Sequence, residues 1–303
     1  MAVTFPEVRI GEPIWCDGLA VFPLFAEPSG GVDYALSDEA LSEGTITVEE
    51  VSEAGSVPDL SVENKGDIRV LFLEGEELVG AKQNRILNTS VLVAAHSKTK
   101  IPVSCVEAGR WGYSSRFFGS SGSHSPSKLR YALKASVSRS VKEKRGHRSD
   151  QGEVWEEVAR QQSALGASSG TSAMSDTFIA HRERVEEAQK NLEYVEGAIG
   201  AAVVVGGRVV SCDLFDKPAT CRKVWRRLLS GVVLDALEAG AGEKQGEATD
   251  VDRVVRGLSD LPWEPADSVG EGEELRASSP AGDHASALVF NDVLVHGSVV
   301  CAG

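Results

Sequence analysis

The stretch Gly80–Asn88 reads GAKQNRILN and sets Lys82, Gln83, Asn84, Arg85 and Asn88 between two strongly apolar runs. Amides and cations in such a place are costly unless they pair with one another or meet a ligand. Glu74, Glu76 and Glu77 precede them, and Ser104, Cys105, Glu107, Arg110 and Trp111 follow one strand later. This set of groups suits a small anionic or nucleotide-like ligand. Lys82 and Arg85 would hold phosphate or carboxylate. Gln83, Asn84 and Asn88 would orient amide or base edges beside Arg110, and Trp111 would stack on a ring. Glu77 or Glu107 would handle protons. The expected catalytic set is therefore Glu77, Glu107 and Lys82, and the expected ligand-binding set is Gln83, Asn84, Arg85, Asn88, Arg110 and Trp111. If the segment is a strand, Lys82 and Asn84 share one face and Gln83 and Arg85 the other. The competing reading is an internal salt-bridge and amide network that fixes strand register.

Other candidates carry less. The histidines at 96, 124, 147, 181, 284 and 296 show no HxH, HxxxH or HExxH spacing, so no metal site is expected. Five scattered cysteines form no CxxC pair and read as reduced thiols. Cys105 sits in an apolar strand, a setting that favours an inert thiol over a nucleophile. Gly119–Ser123, GSSGS, lacks the lysine and helix start of a phosphate loop. No residue pattern names a cofactor or sets the oligomeric state.

The elements that must position these residues read as α+β: a mixed, mainly antiparallel sheet core with an inserted antiparallel helix pair and a long helix in the C-terminal half. Ser37–Gly44 has an N-cap, acids in its first turn and a terminal glycine, so it reads as a short helix. Thr45–Val51 alternates as a strand. SVLVAAHS and IPVSCVEA read as strands of one hairpin, joined at Lys98–Lys100. Gly112–Lys128 is rich in serine and glycine and reads as a long loop. Met174, Phe178, His181, Val185, Ala188, Leu192 and Val195 recur at steps of four and three, the seam of a packed helix. Gly206–Gly207 marks a tight hairpin, Pro218 starts a helix that runs to Gly240, and Asn291–Asp292 turns the last hairpin. The expected organisation is a single domain over 1–303, with a helical insertion at about 128–196 and a surface excursion at about 240–282. Two domains divided near 120 is the alternative.

The formal net charge is −14, which disfavours non-specific duplex binding by the whole surface. Cations cluster between Lys128 and Arg148, where RNA contact, with help from Arg116, is one reading and a solvated helix face the other. No apolar run approaches the length of a membrane span. The N-terminus lacks a basic head and apolar stretch, so the cytoplasm is the expected location.

GEELVGAKQNRILNTS followed by IPVSCVEAGRW resembles the ARG and rhodanese-phosphatase-superfamily-associated protein domain family, and the resemblance runs more weakly through IGAAVVVGGRVVSCDLFDKP. The matching positions are Glu76, Glu77, Lys82, Gln83, Asn84, Arg85, Asn88, Glu107, Arg110 and Trp111. The resemblance implies association with ADP-ribosylglycohydrolase-like and phosphatase-like proteins, and so a role near ADP-ribose, NAD or RNA-end metabolism. The expectation is a hydrolase or transferase acting on an anionic, nucleotide-like ligand. A non-catalytic sensor of such a ligand and an RNA-binding protein using 128–148 are the alternatives.

Overall fold

Valine- and alanine-rich runs separated by turn pairs build the largest sheet. In the computed structural model, which describes residues 4–27, 31–52, 55–240 and 248–302, these runs form nine strands that pair antiparallel throughout. Along the sheet they run Arg9–Ile10, Leu19–Phe25, Gly200–Val205, Arg208–Phe215, Val293–Val300, His284–Phe290, Glu273–Ser278 and Glu264–Ala266, and Ile14–Cys16 also pairs with Leu19–Phe25. Both expected hairpins are present: Gly206 and Gly207 turn the first, and Asn291 and Asp292 turn the last with positive φ at each. Pro23 lies on a strand between the ladders of two short neighbours, where no donor is required of it.

A six-stranded antiparallel sheet carries the polar motif, in the order Phe118–His124, Glu76–Gly80, Arg85–Leu87, Ser97–Cys105, Asp59–Asn64 and Ile46–Glu50. A three-stranded sheet joins Val91–Val93, Arg69–Phe72 and Tyr34–Leu36. The run Val70–Leu73 is buried throughout, as its unbroken apolar character predicts. The α+β reading stands. Among the described residues no helix is long and apolar enough to cross a membrane.

The structure corrects the sequence reading in several places. Gly112–Lys128 is not one loop, because Phe118–His124 is a strand paired with Glu76–Gly80. Its serines and glycines have low strand propensity, and the ladder to a buried neighbour overrides it. Lys98–Lys100 is not a turn. Lys98 and Lys100 alternate outward within Ser97–Cys105, and the chain reverses at Ala94–His96 instead. The two flanking strands then part, with Val91–Val93 pairing to Arg69–Phe72 and Ser97–Cys105 to Asp59–Asn64 and Arg85–Leu87. The 3.5-residue seam is two helices, Met174–Ala180 and Arg182–Asn191, divided at His181. Met174, Phe178, Val185, Ala188 and Leu192 still enter the core. Of the expected excursion, 241–247 lies outside the described residues. The remainder holds the helix Ala248–Gly257 and two strands that complete the large sheet.

The helix Pro218–Ala239 packs against Phe118–His124 on one side and against Gly200–Val205 and Arg208–Phe215 on the other, linking the two larger sheets. Gly231 permits the approach: a Cβ there would lie 2.5 Å from the backbone oxygens of His124 and Ser125. The helix Ser127–Lys142 contributes charge to the interior. Arg130 and Lys134, one turn apart, are both buried. Arg130 donates two hydrogen bonds to Asp213, at 2.6 and 3.0 Å, and one to Ser298. Lys134 donates to Glu74 at 2.7 Å and to Ser286 at 2.6 Å. Burial alone would raise Asp213, but the Arg130 guanidinium outweighs it and holds the carboxyl well below its usual range. The cationic segment is thus split. Lys128, Arg139, Lys142 and Arg145 face out and pair with Glu238, Glu153, Glu264 and Glu143.

Removing one partner from a buried pair strands the other charge. Arg130→Ala is expected to cost about 3–5 kcal/mol in urea unfolding. Lys144→Ala, a change at an exposed position of the same segment, should stay within about 0.5 kcal/mol.

Candidate functional site

Lys82–Asn84 is a turn between the strands Glu76–Gly80 and Arg85–Leu87, so the expected alternation of faces does not hold. The turn is sterically demanding. Gly80 has φ 125° and Ala81 has φ 38°, both in the region that L side chains avoid. A Cβ on Gly80 would lie 2.6 Å from Ser115 Oγ and 2.9 Å from Phe117 O.

Arg110 holds this turn in place. Its Nε and Nη2 donate to the two oxygens of Glu107 at 2.8 and 2.6 Å. Nη2 also reaches Asn84 Oδ1 at 3.2 Å, and Nη1 donates to the carbonyls of Ala81 and Gly112 at 2.6 and 2.9 Å. Glu107 in turn accepts from the Asn84 backbone at 3.0 Å and the Thr171 hydroxyl at 2.8 Å. Burial pulls its pKa upward, yet the hydrogen bonds from Arg110, Asn84 and Thr171 hold it below the usual carboxylate range. All four lone-pair positions of Glu107 are occupied, and Arg110 spends its donors on the protein.

Gln83 donates to Glu107 O at 2.9 Å and accepts from Arg85 Nη1 at 3.0 Å. The Cys105 thiol also donates to Gln83 Oε1, and burial raises its pKa, which fits the inert reading. Asn84 Nδ2 donates to Ser175 at 3.1 Å. Asn88 lies apart from this group. It donates to His147 O at 2.8 Å and accepts from Ser104 at 2.5 Å, anchoring the chain beyond the helix Ser127–Lys142.

The outer wall is aromatic and cationic. The Lys82 ammonium stands 5.2 Å from the centre of the Trp111 ring and 5.1 Å from that of Tyr113, within cation–π range. Both rings are about half exposed. Beside them opens a cleft of about 920 Å³ lined by Glu49, Glu50, Val51, Ser52 and Tyr113–Arg116. Arg85 is fully buried, with its guanidinium 5.9 Å from the Trp111 ring centre and 3.7 Å from Glu50.

Glu77 is fully buried. Its pKa is pushed up to about 8, first by burial and further by the charge of Glu107. Neither carboxylate oxygen accepts a hydrogen bond of ordinary geometry. The Ser121 hydroxyl and the Ser175 backbone that face it therefore offset little of the burial cost. Burial thus drives Glu77 up while hydrogen bonds hold Glu107 down, two carboxyls of one motif set apart by their surroundings. Glu74 and Glu76 belong elsewhere: Glu74 pairs with Lys134, and Glu76 pairs with Arg227 and Ser37.

Sequence reasoning passed over four neighbours. Tyr113 and Ser121 were hidden by the loop-like composition of their segment. Thr171 and Ser175 flank a break between helices, which gave no chemical signal. The backbone ties that break to the site through Gly109 N to Thr171 O at 2.7 Å and Met174 N to Val106 O at 2.9 Å.

The sequence model of the ARG and Rhodanese-Phosphatase-superfamily-associated Protein domain matches residues 7–300. No curated protein and no solved structure matches the chain.

A carboxyl whose pKa is raised on folding binds more protons folded than unfolded, so its ionisation removes stability as pH rises from about 4.5 toward about 8. Glu77→Gln lacks that loss. The stability of Glu77→Gln relative to the parent should therefore climb by roughly a few kcal/mol across this window and level off above it. Denaturant unfolding at stepped pH reads it, and a flat difference would refute the assignment of the raised pKa to Glu77.

Proposed function

This chain belongs to the ARG and Rhodanese-Phosphatase-superfamily-associated Protein domain family, and on that premise we propose that it binds an anionic, nucleotide-like ligand at Lys82, Trp111 and Tyr113 and acts on it as a hydrolase or transferase. The observation that carries the reading is the cation held by two half-exposed rings, one of which, Tyr113, lines a cleft, with a buried, protonatable carboxyl, Glu77, on the strand that leads into the Lys82 turn. Lys82 would neutralise phosphate as a point charge. Trp111 and Tyr113 would stack on the ring of the ligand. Glu77, neutral at pH 7, would give a proton to the leaving group, and in a dry site that proton is held ready. Arg110 and Glu107 would act as positioning residues, keeping the Lys82 turn and the Trp111 segment together. The family name supplies the context of ARG and rhodanese-phosphatase association, in keeping with ADP-ribose-like or phosphate-bearing compounds.

A second reading, a sensor without turnover, draws support from one feature: Glu77 is fully enclosed and every lone pair of Glu107 is taken.

Both readings predict that Lys82→Ala and Trp111→Ala weaken binding of ADP-ribose or nucleoside diphosphates at least about tenfold, equal to about 1.4 kcal/mol. Isothermal titration measures this, and unchanged affinity in both variants would remove the site from consideration. Turnover separates the two. As an enzyme, the protein should lose about 10²-fold or more in Glu77→Gln at unchanged affinity, while a sensor shows no turnover in either form.

A further inference from the structure

The strand Ile46–Glu50 alternates buried and half-buried, with Ile46, Val48 and Glu50 facing inward. Period two thus puts a carboxylate where the pattern calls for an apolar side chain. The Glu50 side chain is 2% exposed, and neither of its oxygens has a hydrogen-bond partner. Its nearest cation, Arg85 Nη2, stands 3.7 Å away, which pairs the charges without forming a hydrogen bond. Arg85 Nε and Nη2 are unpartnered as well. A buried charge with unfilled hydrogen-bonding capacity is costly and calls for an explanation. Glu50 also lines the cleft beside Tyr113, so a ligand is the explanation at hand.

The chemistry of the group narrows that ligand. An ionised carboxylate only accepts hydrogen bonds, and its two oxygens take two donors side by side. The Tyr113 ring, which lines the same cleft, selects a flat heterocycle. Among nucleobases, guanine presents two adjacent donors on one edge, the ring N1–H and the 2-amino group. Adenine and cytosine place an acceptor beside their amino group, so a lone pair would face the second oxygen. Hypoxanthine keeps the N1–H and lacks the amino group.

We propose that Glu50 is the specificity-determining residue of this cleft and that the base it reads is of the guanine type. The proposal rests on the cleft being a nucleotide site, as argued above, and adds which base enters. Arg85 pairs with the carboxylate at 3.7 Å, and Arg116, which lines the same cleft, supplies a cation for the phosphates.

Isothermal titration of the full chain with GDP, IDP, ADP and inorganic pyrophosphate tests this. A site built for a donor rejects the analogue that lacks it. GDP should bind at least about tenfold more tightly than IDP and ADP, the discrimination expected of one good bidentate contact. Glu50→Gln offers one acceptor and one donor in place of two acceptors, and it should bring the GDP-to-ADP ratio close to one while leaving pyrophosphate affinity unchanged. The GDP-to-IDP comparison needs no variant and stands even if Glu50→Gln does not fold. ADP binding as tightly as GDP, or GDP and IDP binding alike, overturns the guanine assignment and leaves the nucleotide site intact. Absence of binding by all three nucleotides overturns both.

Discussion

The bidentate pair between Arg110 and Glu107 is the contact on which the site depends. Three segments distant in sequence meet at these two side chains: the strained turn at Gly80–Asn84, the aromatic segment Trp111–Ser114, and the residues before the helix Met174–Ala180. None of the three is a regular element able to fix its own position. The turn also carries backbone conformations that cost energy, and these persist only where surrounding contacts over-determine them. A charged fork with matched geometry provides that constraint better than apolar packing could, because it acts in a defined direction. The position of Lys82 between Trp111 and Tyr113 follows from it.

The same physics operates on a larger scale between the sheets. Arg130, Lys134 and Arg276 lie buried with Asp213, Glu74 and Glu274, each cation in contact with a carboxylate. Taking six charges out of water is expensive, and apolar side chains of equal volume would often be as stable. What the ion pairs add is direction. They tie the helix Ser127–Lys142 to particular residues of the large sheet and, through Glu74, to the sheet that carries the motif. The position of the motif relative to the large sheet is therefore set by charge as well as by packing.

Much of the fold could be read from the chain because it is written in local patterns. The turn pairs at Gly206–Gly207 and Asn291–Asp292, the proline at the start of the long helix and the unbroken apolar run Val70–Leu73 each have a local cause. The errors share another cause. Phe118–His124 is a strand through pairing with a distant partner, and Lys98–Lys100 looked like a turn because outward-facing lysines on a strand resemble loop composition. Arg130 and Lys134 read as a solvated basic face because sequence shows charge and not the carboxylates that arrive from a strand 83 residues away and a turn 60 residues away. At the site the polar motif was legible, but its division was not. Nothing in GAKQNRILN separates Asn88, which anchors a neighbouring segment, from Lys82, which packs on the Trp111 and Tyr113 rings.

Hydrogen-bond satisfaction sorts the buried polar groups around the site. Glu107, Arg110, Asn84 and Asn88 have their polar atoms engaged by protein groups, as stable buried networks require. Glu77, Glu50 and Arg85 are as deeply buried and keep polar atoms without partners. Each such atom costs on the order of 1–3 kcal/mol, more where the group is charged. A chain selected for stability alone would fill these positions with β-branched apolar residues, as it does at Ile46, Val48 and Ile86 on two of the same strands. Glu74, Arg130, Arg227 and Arg276 in the ion-pair interior also keep an atom without a partner, and of the whole set Glu50 is the one that lines the cleft beside Tyr113. Within one motif, then, the saturated side chains build the frame, and the unsaturated carboxylate that borders the cleft, Glu50, is the one to which the proposed ligand would bring hydrogen bonds.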